Sequence, residues 1–213
     1  MDDREIAGKV LKGTTIIGIL CSDGVVIGAD SRATMDSFIA SSEAFKIFKI
    51  DEKLAIAMAG VVGDAEYMAK LLKAQNDIYK MEEGVPLNPT SATSLLHVFL
   101  QENKMAFPFL GQLVVGGFNR DTPELYSIGD YIGSYTKETK FTSIGSGSPM
   151  ALSYLDDAYR KNITTQDAIK LAVKALKLAM KRDSATGDKI KIVLITKNGY
   201  KDLTDEEIEK LAK

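Results

Sequence analysis

Two apolar runs open the patterned part of the chain, at residues 14–20 and 24–30, with Cys21-Ser22-Asp23-Gly24 between them. Asp-Gly flanked by such runs signals a β-hairpin. Val25, Val26, Ile27 and Ala29 follow one another without strict alternation, so both faces of these strands are expected to be covered. Further strands are predicted at 54–59, 113–118, 125–128 and 190–196. The stretch 45–50 also alternates as a strand, which sets Lys46 on the same face as Phe48 and Ile50.

Helical spacing is clearest in Ile169, Ala172, Val173, Leu176, Ala179 and Met180, which form one stripe behind a cap at Thr164. Met68, Leu71, Leu72, Ile78 and Tyr79 predict a helix over about 64–81, ended by Gly84 and Pro86. Other helices are expected at 91–106, before Pro108, and after Pro149. Thr204-Asp205-Glu206-Glu207 is a capping box that opens a short C-terminal helix. The order is strands, a helix pair, strands, a second helix pair, and strands again. That is not the alternation of a doubly wound parallel sheet; it fits sheets packed together with helices outside. No internal repeat or linker is visible, and 82–89 is the one breaker-rich loop, so a single domain is expected.

Composition narrows the function classes. With 213 residues and 45% hydrophobic content the chain can bury a real core. A net charge of −2, with both signs scattered, gives no footprint for a nucleic acid or an anionic membrane. Cys21 is the single cysteine, so an intrachain disulfide is impossible and a clustered cysteine metal site is excluded; no metal and no cofactor are expected. No segment reads as a signal peptide or a membrane span, which predicts a soluble, cytoplasmic protein. His97 is the single histidine, sits among apolar residues, and reads as structural, leaving no histidine-based catalytic pair.

Several positions could carry chemistry. Gly13-Thr14-Thr15, behind a short polar stretch, looks like a processing site: a cut after Gly13 would give Thr14 both a hydroxyl nucleophile and a free α-amine to take its proton. A Gly-Thr pair alone also arises by chance. Asp30 ends a buried strand, where it could serve chemistry or merely cap a turn. Lys46 is flanked by hydrophobes and either needs an acid partner or snorkels outward. Gly60 could bring its N–H to a ligand or only make a turn. Gly145-Ser146-Gly147-Ser148 would place amides at a helix start, but lacks the Gly-Lys-Ser ending of a phosphate loop. Asp183-Ser184-Ala185-Thr186-Gly187-Asp188 closes the last long helix with a polar cluster or a plain turn.

Taken together, Thr14, Asp30-Ser31-Arg32-Ala33-Thr34, Lys46, Ala59-Gly60 with Gly63-Asp64, Gly145-Ser146-Gly147-Ser148 and Lys181-Arg182-Asp183-Ser184 occur in one order at family-like spacing. In this the chain resembles proteasome β subunits, the archaeal type above all, from Thr14 to about Ile195. The resemblance implies an α+β fold: a four-layer αββα sandwich of two antiparallel sheets flanked by helices, of the N-terminal nucleophile hydrolase class. It implies a propeptide, residues 1–13, removed by autocatalytic cleavage between Gly13 and Thr14, and one catalytic domain over 14–213. Thr14 would be the nucleophile, Lys46 the neighbouring cation and Asp30 its acidic partner. Gly60 would donate to the oxyanion. Ser146 and Asp183 would be the supporting polar residues, with Thr186 and Arg32 behind them. Ala33, Thr34, Ala44, Phe48, Met58 and Val62 would line the substrate pocket, which, being uncharged, favours cleavage after large hydrophobic residues.

The implied partners are further copies in seven-membered β rings, α subunits, ATP-dependent unfoldases acting through the α ring, and unfolded polypeptides. Three departures stand out: Thr186 where serine is common, Phe45 where a basic residue often precedes the lysine, and Val61 in place of a common serine. The competing readings are an unprocessed, structural subunit of the same ring, and the bacterial two-ring relative, whose helix-end sequence differs from Arg182-Asp183-Ser184.

Overall fold

The computed structural model describes residues 13–35, 37–103, 109–129 and 134–212. The removable segment expected at 1–13 lies outside these, apart from Gly13. So does the end of the helix predicted to reach Ala106.

The first sheet orders its strands β10-β1-β2-β11-β12: β10 (Phe141–Ile144), β1 (Ile16–Leu20), β2 (Gly24–Asp30), β11 (Ile190–Thr196) and β12 (Gly199–Asp202). The second runs β5 (Ile47–Asp51), β6 (Leu54–Gly60), β7 (Gly111–Asn119), β8 (Thr122–Ile128) and β9 (Tyr135–Glu138). All the pairings are antiparallel. Helices α1 (Val62–Glu83) and α2 (Pro89–Asn103) cover the second sheet; α3 (Ser148–Ala158), α4 (Thr165–Met180) and α5 (Asp205–Leu211) cover the first. A separate two-stranded ribbon, β3 (Ala33–Met35) with β4 (Phe38–Ser41), stands between β2 and β5 in the chain. The expected αββα sandwich is the fold observed.

The unbroken apolar runs sort themselves by alternation. Ile16, Val25 and Ile27 point into the layer between the sheets, against Ala55, Ala57 and Val114. Ile17, Ile19 and Val26 point the other way, onto Leu155, Ala172 and Leu176 of α3 and α4. On the second sheet Ile56, Leu113 and Val115 pack under Leu72 of α1 and Leu96 of α2. Each buried aliphatic side chain contributes about 1.5–3 kcal/mol relative to exposure. A polar residue on either face would therefore be costly, which is why the strands read as continuous hydrophobe.

The predicted helix ends hold. Gly84 takes the left-handed conformation, φ 75°, past the end of α1; Thr164 accepts from Asp167 N; and Thr204 and Glu207 close a full capping box. Asp23, expected only as a turn residue, also receives Thr165 N and Thr165 Oγ1 at 2.8 and 2.9 Å, locking the first hairpin to α4. Strands β3, β4, β9, β10 and β12 are additions to the expected set. Each is three or four residues long, too short for a period of two to register. Among the described residues no helix is long and apolar enough to cross a membrane.

Candidate active site

Thr14 sits just ahead of β1, buried at the open end of the layer between the sheets. The chain is continuous through Gly13, and the Thr14 hydroxyl donates to the Gly13 carbonyl oxygen. The backbone N–H of Thr14 donates to Ser146 Oγ at 3.3 Å. The next residue fixes the register: Asp30 N donates to Thr15 O at 3.2 Å, and Thr15 N donates to Asp30 Oδ1 at 2.9 Å.

Asp30 is buried and its carboxylate accepts four hydrogen bonds. Oδ1 receives Thr15 N and, at 2.7 Å, Lys46 Nζ; Oδ2 receives Arg32 N at 3.1 Å and Gly187 N at 3.0 Å. Every lone-pair position is thereby used, three of them by main chain. Lys46 Nζ also lies 3.4 Å from the Gly13 carbonyl oxygen, so one ammonium touches both the acid and the carbonyl preceding Thr14. Burial pushes the Lys46 ammonium below the ordinary lysine value, and the Asp30 carboxylate opposes that shift. Of the two readings open for Lys46, the paired one is correct: its side chain is 7% exposed. The alternation carries through it: Lys46 O accepts from Met58 N at 3.0 Å just ahead of β5, Lys46 lines one cavity with Met58, and Nζ reaches Asp30 at the end of β2, while Phe48 and Ile50 follow on the same face.

On the other side of Thr14, a chain of hydroxyls ends on Asp183. Ser146 Oγ and Thr186 Oγ1 each donate to Asp183 Oδ2 at 2.5 Å. Thr186 has one hydroxyl proton, so its 2.7 Å contact with Thr15 Oγ1 is supplied by Thr15. Ser146 likewise gives its proton to Asp183 and accepts from Thr14 N. The threonine that stands where serine is common keeps both bonds while fully buried. Arg32 does not touch Thr14. Its guanidinium forks onto Asp188 at 3.0 and 3.1 Å and reaches Ser184 O at 2.9 Å, clamping the 183–188 loop against β2.

A cavity of about 540 Å³ opens beside Thr14. Ala33, Thr34, Ala44, Met58 and Val62 line it as expected, together with Lys46, Gly60, Met35, Ala40, Val61 and Ala65. Phe48 does not. It lines a neighbouring groove with Ala69 and Lys73 of α1, because it sits two residues further along the strand than Lys46, opposite Ile56 rather than Met58. Gly60 ends β6 at the cavity rim with φ 148°, where a Cβ would stand 2.4 Å from Leu110 O. Only glycine fits there, and it leaves the main chain accessible.

Residues that sequence reasoning did not single out include Thr15, Asp188 as the partner of Arg32, and Gln112, whose Oε1 accepts from Gly145 N at 2.9 Å. The adjacent hydroxyls of Thr14 and Thr15 were the one available sign for the first. His97 lies on α2 with its ring 5.3 Å from that of Tyr135. Cys21 is buried, and burial pushes its thiol up to about 12.

The proteasome subunit family model matches residues 10–195. The proteasome subunit beta of Methanosarcina thermophila is 41% identical over 201 residues, covering 94% of this chain and 95% of that protein. Its counterpart in Ferroglobus placidus is 44% identical over 204 residues, 96% of each chain. That of Methanocaldococcus vulcanius is 43% identical over 202 residues, 94% of this chain and 90% of its own length. A fold of two helix-flanked antiparallel sheets, a buried threonine at their open end and similarity along nearly the whole length agree: the chain belongs to the proteasome subunit family, as a β-type subunit of the archaeal kind.

Proposed function

We propose that the chain is a threonine endopeptidase that activates itself by cutting between Gly13 and Thr14, residues 1–13 being a propeptide and 14–213 the catalytic domain. The observation that carries this reading is the double approach to Thr14: Lys46, fixed by Asp30, on one side, and Ser146, fixed by Asp183, on the other. In self-cleavage Thr14 Oγ1 adds to the Gly13 carbonyl carbon, the C–N bond to Thr14 breaks, and the hydroxyl proton ends on the departing nitrogen. Water then cleaves the resulting ester, forming the Gly13 carboxylate and restoring the Thr14 hydroxyl.

The freed α-amine, with a reference pKa of roughly 7.7–8.0, takes the place of the N–H now bonded to Ser146. It receives the Oγ1 proton when Thr14 attacks a substrate carbonyl and passes it to the leaving amine; water hydrolyses the acyl ester and returns the proton to Oγ1. Lys46 as a cation favours the alkoxide, and the Gly60 N–H stabilises the oxyanion, a donor worth on the order of 10²–10³ in rate. The walls formed by Ala33, Ala44, Met58 and Val62 favour a large hydrophobic side chain before the cut bond. Peptide reporters ending in Phe or Leu are expected to be cut faster than those ending in Arg or Glu.

On the same reading, the chain works in two stacked seven-membered rings between α rings, fed with unfolded polypeptide by ATP-dependent unfoldases in the cytoplasm; its membership of the proteasome subunit family supports the ring assembly with α subunits. The deciding experiment is intact mass after co-assembly with the α partner, beside Thr14→Ala. Loss of residues 1–13 in the wild type alone, with peptidase activity appearing in step, is the expected result. An uncut chain in both would make it a structural subunit.

A further inference from the structure

Within the self-cleavage reading, the structure also points to what chooses the bond. Ala33 and Thr34 both line the cavity beside Thr14, although neighbours in a strand face opposite ways. The register between β3 and β4 shifts between these two residues, and such bulges re-aim side chains. The re-aimed side chain meets Gly13: a Cβ built on Gly13 would stand 2.2 Å from Thr34 Oγ1, 3.4 Å from Thr34 Cβ and 3.6 Å from Ala185 Cβ. Gly13 also has φ 124°, which residues with side chains rarely adopt. In this pose its carbonyl oxygen faces both Thr14 Oγ1 and Lys46 Nζ.

We infer that the Thr34 side chain is the selecting wall of self-cleavage: it admits only glycine before the nucleophile and holds that glycine with its carbonyl between Thr14 and Lys46. Thr15 is preceded by Thr14, whose Cβ this niche could not take, and its own hydroxyl is committed to Thr186. The cut is thus confined to one of two adjacent threonines.

The test is allele-specific rescue in particles co-assembled with the α partner, with cleavage followed by intact mass and assembly by size. Gly13→Ala should block cleavage in the assembled particle. Adding Thr34→Ala opens the niche and should restore cleavage about tenfold or more over Gly13→Ala. Rescue is partial, because φ 124° stays unfavourable for alanine. Adding Thr34→Val, which keeps both branches of the side chain, should restore nothing. Assembled particles that stay uncut with both second substitutions, or are rescued equally by both, overturn the assignment. If Gly13→Ala chains do not assemble, Thr34→Ala and Thr34→Ile with Gly13 intact read the same niche: one loosens Gly13 and the other crowds it, so both should cut several-fold more slowly, and unchanged rates overturn the assignment. Failure of the wild type itself to cut would instead refute the self-cleavage reading.

Discussion

Asp30, at the end of β2, and Glu124, within β8, both carry buried carboxylates that meet a lysine at 2.7 Å. Asp30 takes its remaining bonds from main-chain N–H groups of Thr15, Arg32 and Gly187, which the fold holds still. Glu124 takes its own from the side-chain hydroxyls of Thr90 and Tyr126, which can turn. The lysines differ as well: the Lys46 side chain is 7% exposed and Lys137 is 57% exposed. One arrangement over-determines the position of an ammonium; the other fastens α2 and β9 to the sheet. Burial with a salt bridge is common to both, so it does not set apart the pair proposed for catalysis. The source of the donors does.

The sharpest way to break this comparison is Asp30→Asn. An amide cannot balance Lys46, and stranding a buried charge costs about 3–5 kcal/mol. Peptidase activity and self-cleavage should vanish with a large fall in Tm. Asp30→Asn combined with Lys46→Met should regain much of the Tm and none of the activity. Ser146→Ala comes next: the path from the Thr14 amine to Asp183 is cut, and kcat should fall about 10²-fold or more, in the range of general acid–base effects, with Tm nearly unchanged.

Smaller again is Thr186→Val, which strands the Thr15 hydroxyl at a cost of about 1–3 kcal/mol and should slow peptide cleavage, while Thr186→Ser should behave as the wild type. Glu124→Gln should leave peptide hydrolysis untouched and cost about 1 kcal/mol in denaturant unfolding. Burial alone would raise the Glu124 carboxyl, but bonds from Lys137 and Thr90 outweigh it and hold the group below its ordinary value. Its contribution is therefore complete above the unfolded pKa of about 4.3 and is lost as pH falls through the lower folded value. The stability gap between wild type and Glu124→Gln should close over that acid range; a gap that persists there would mean the carboxylate charge is not what fastens α2.

How far the sequence reaches depends on the range of the signal. Strands with covered faces, the Thr164 and Thr204 caps and the halt at Gly84 are local patterns, and they could be read directly. Thr14, Lys46 and Asp183 were legible because several short motifs fall in one order, not because any of them stands alone. The Thr15–Thr186 contact joins residues 171 positions apart through two hydroxyls and leaves no periodicity behind. Phe48 was misplaced because alternation says which residues share a face, but not how far along that face the cavity reaches. The bulge at Ala33 and Thr34 breaks the period-two rule itself, so its effect on Gly13 could be found only in three dimensions.

The reach of those contacts has a consequence in time. Asp30 is completed by Gly187, and Thr15 by Thr186, so the 183–188 loop belongs to the same chemical unit as the first strands. A chain made from its N-terminus has Thr14 long before it has that loop. In the proposed reading, a half-made or misfolded subunit therefore carries a threonine without its surroundings, and hydrolytic power arrives only with the closing of the fold. A subunit that has lost its leader would be one that had already passed inspection.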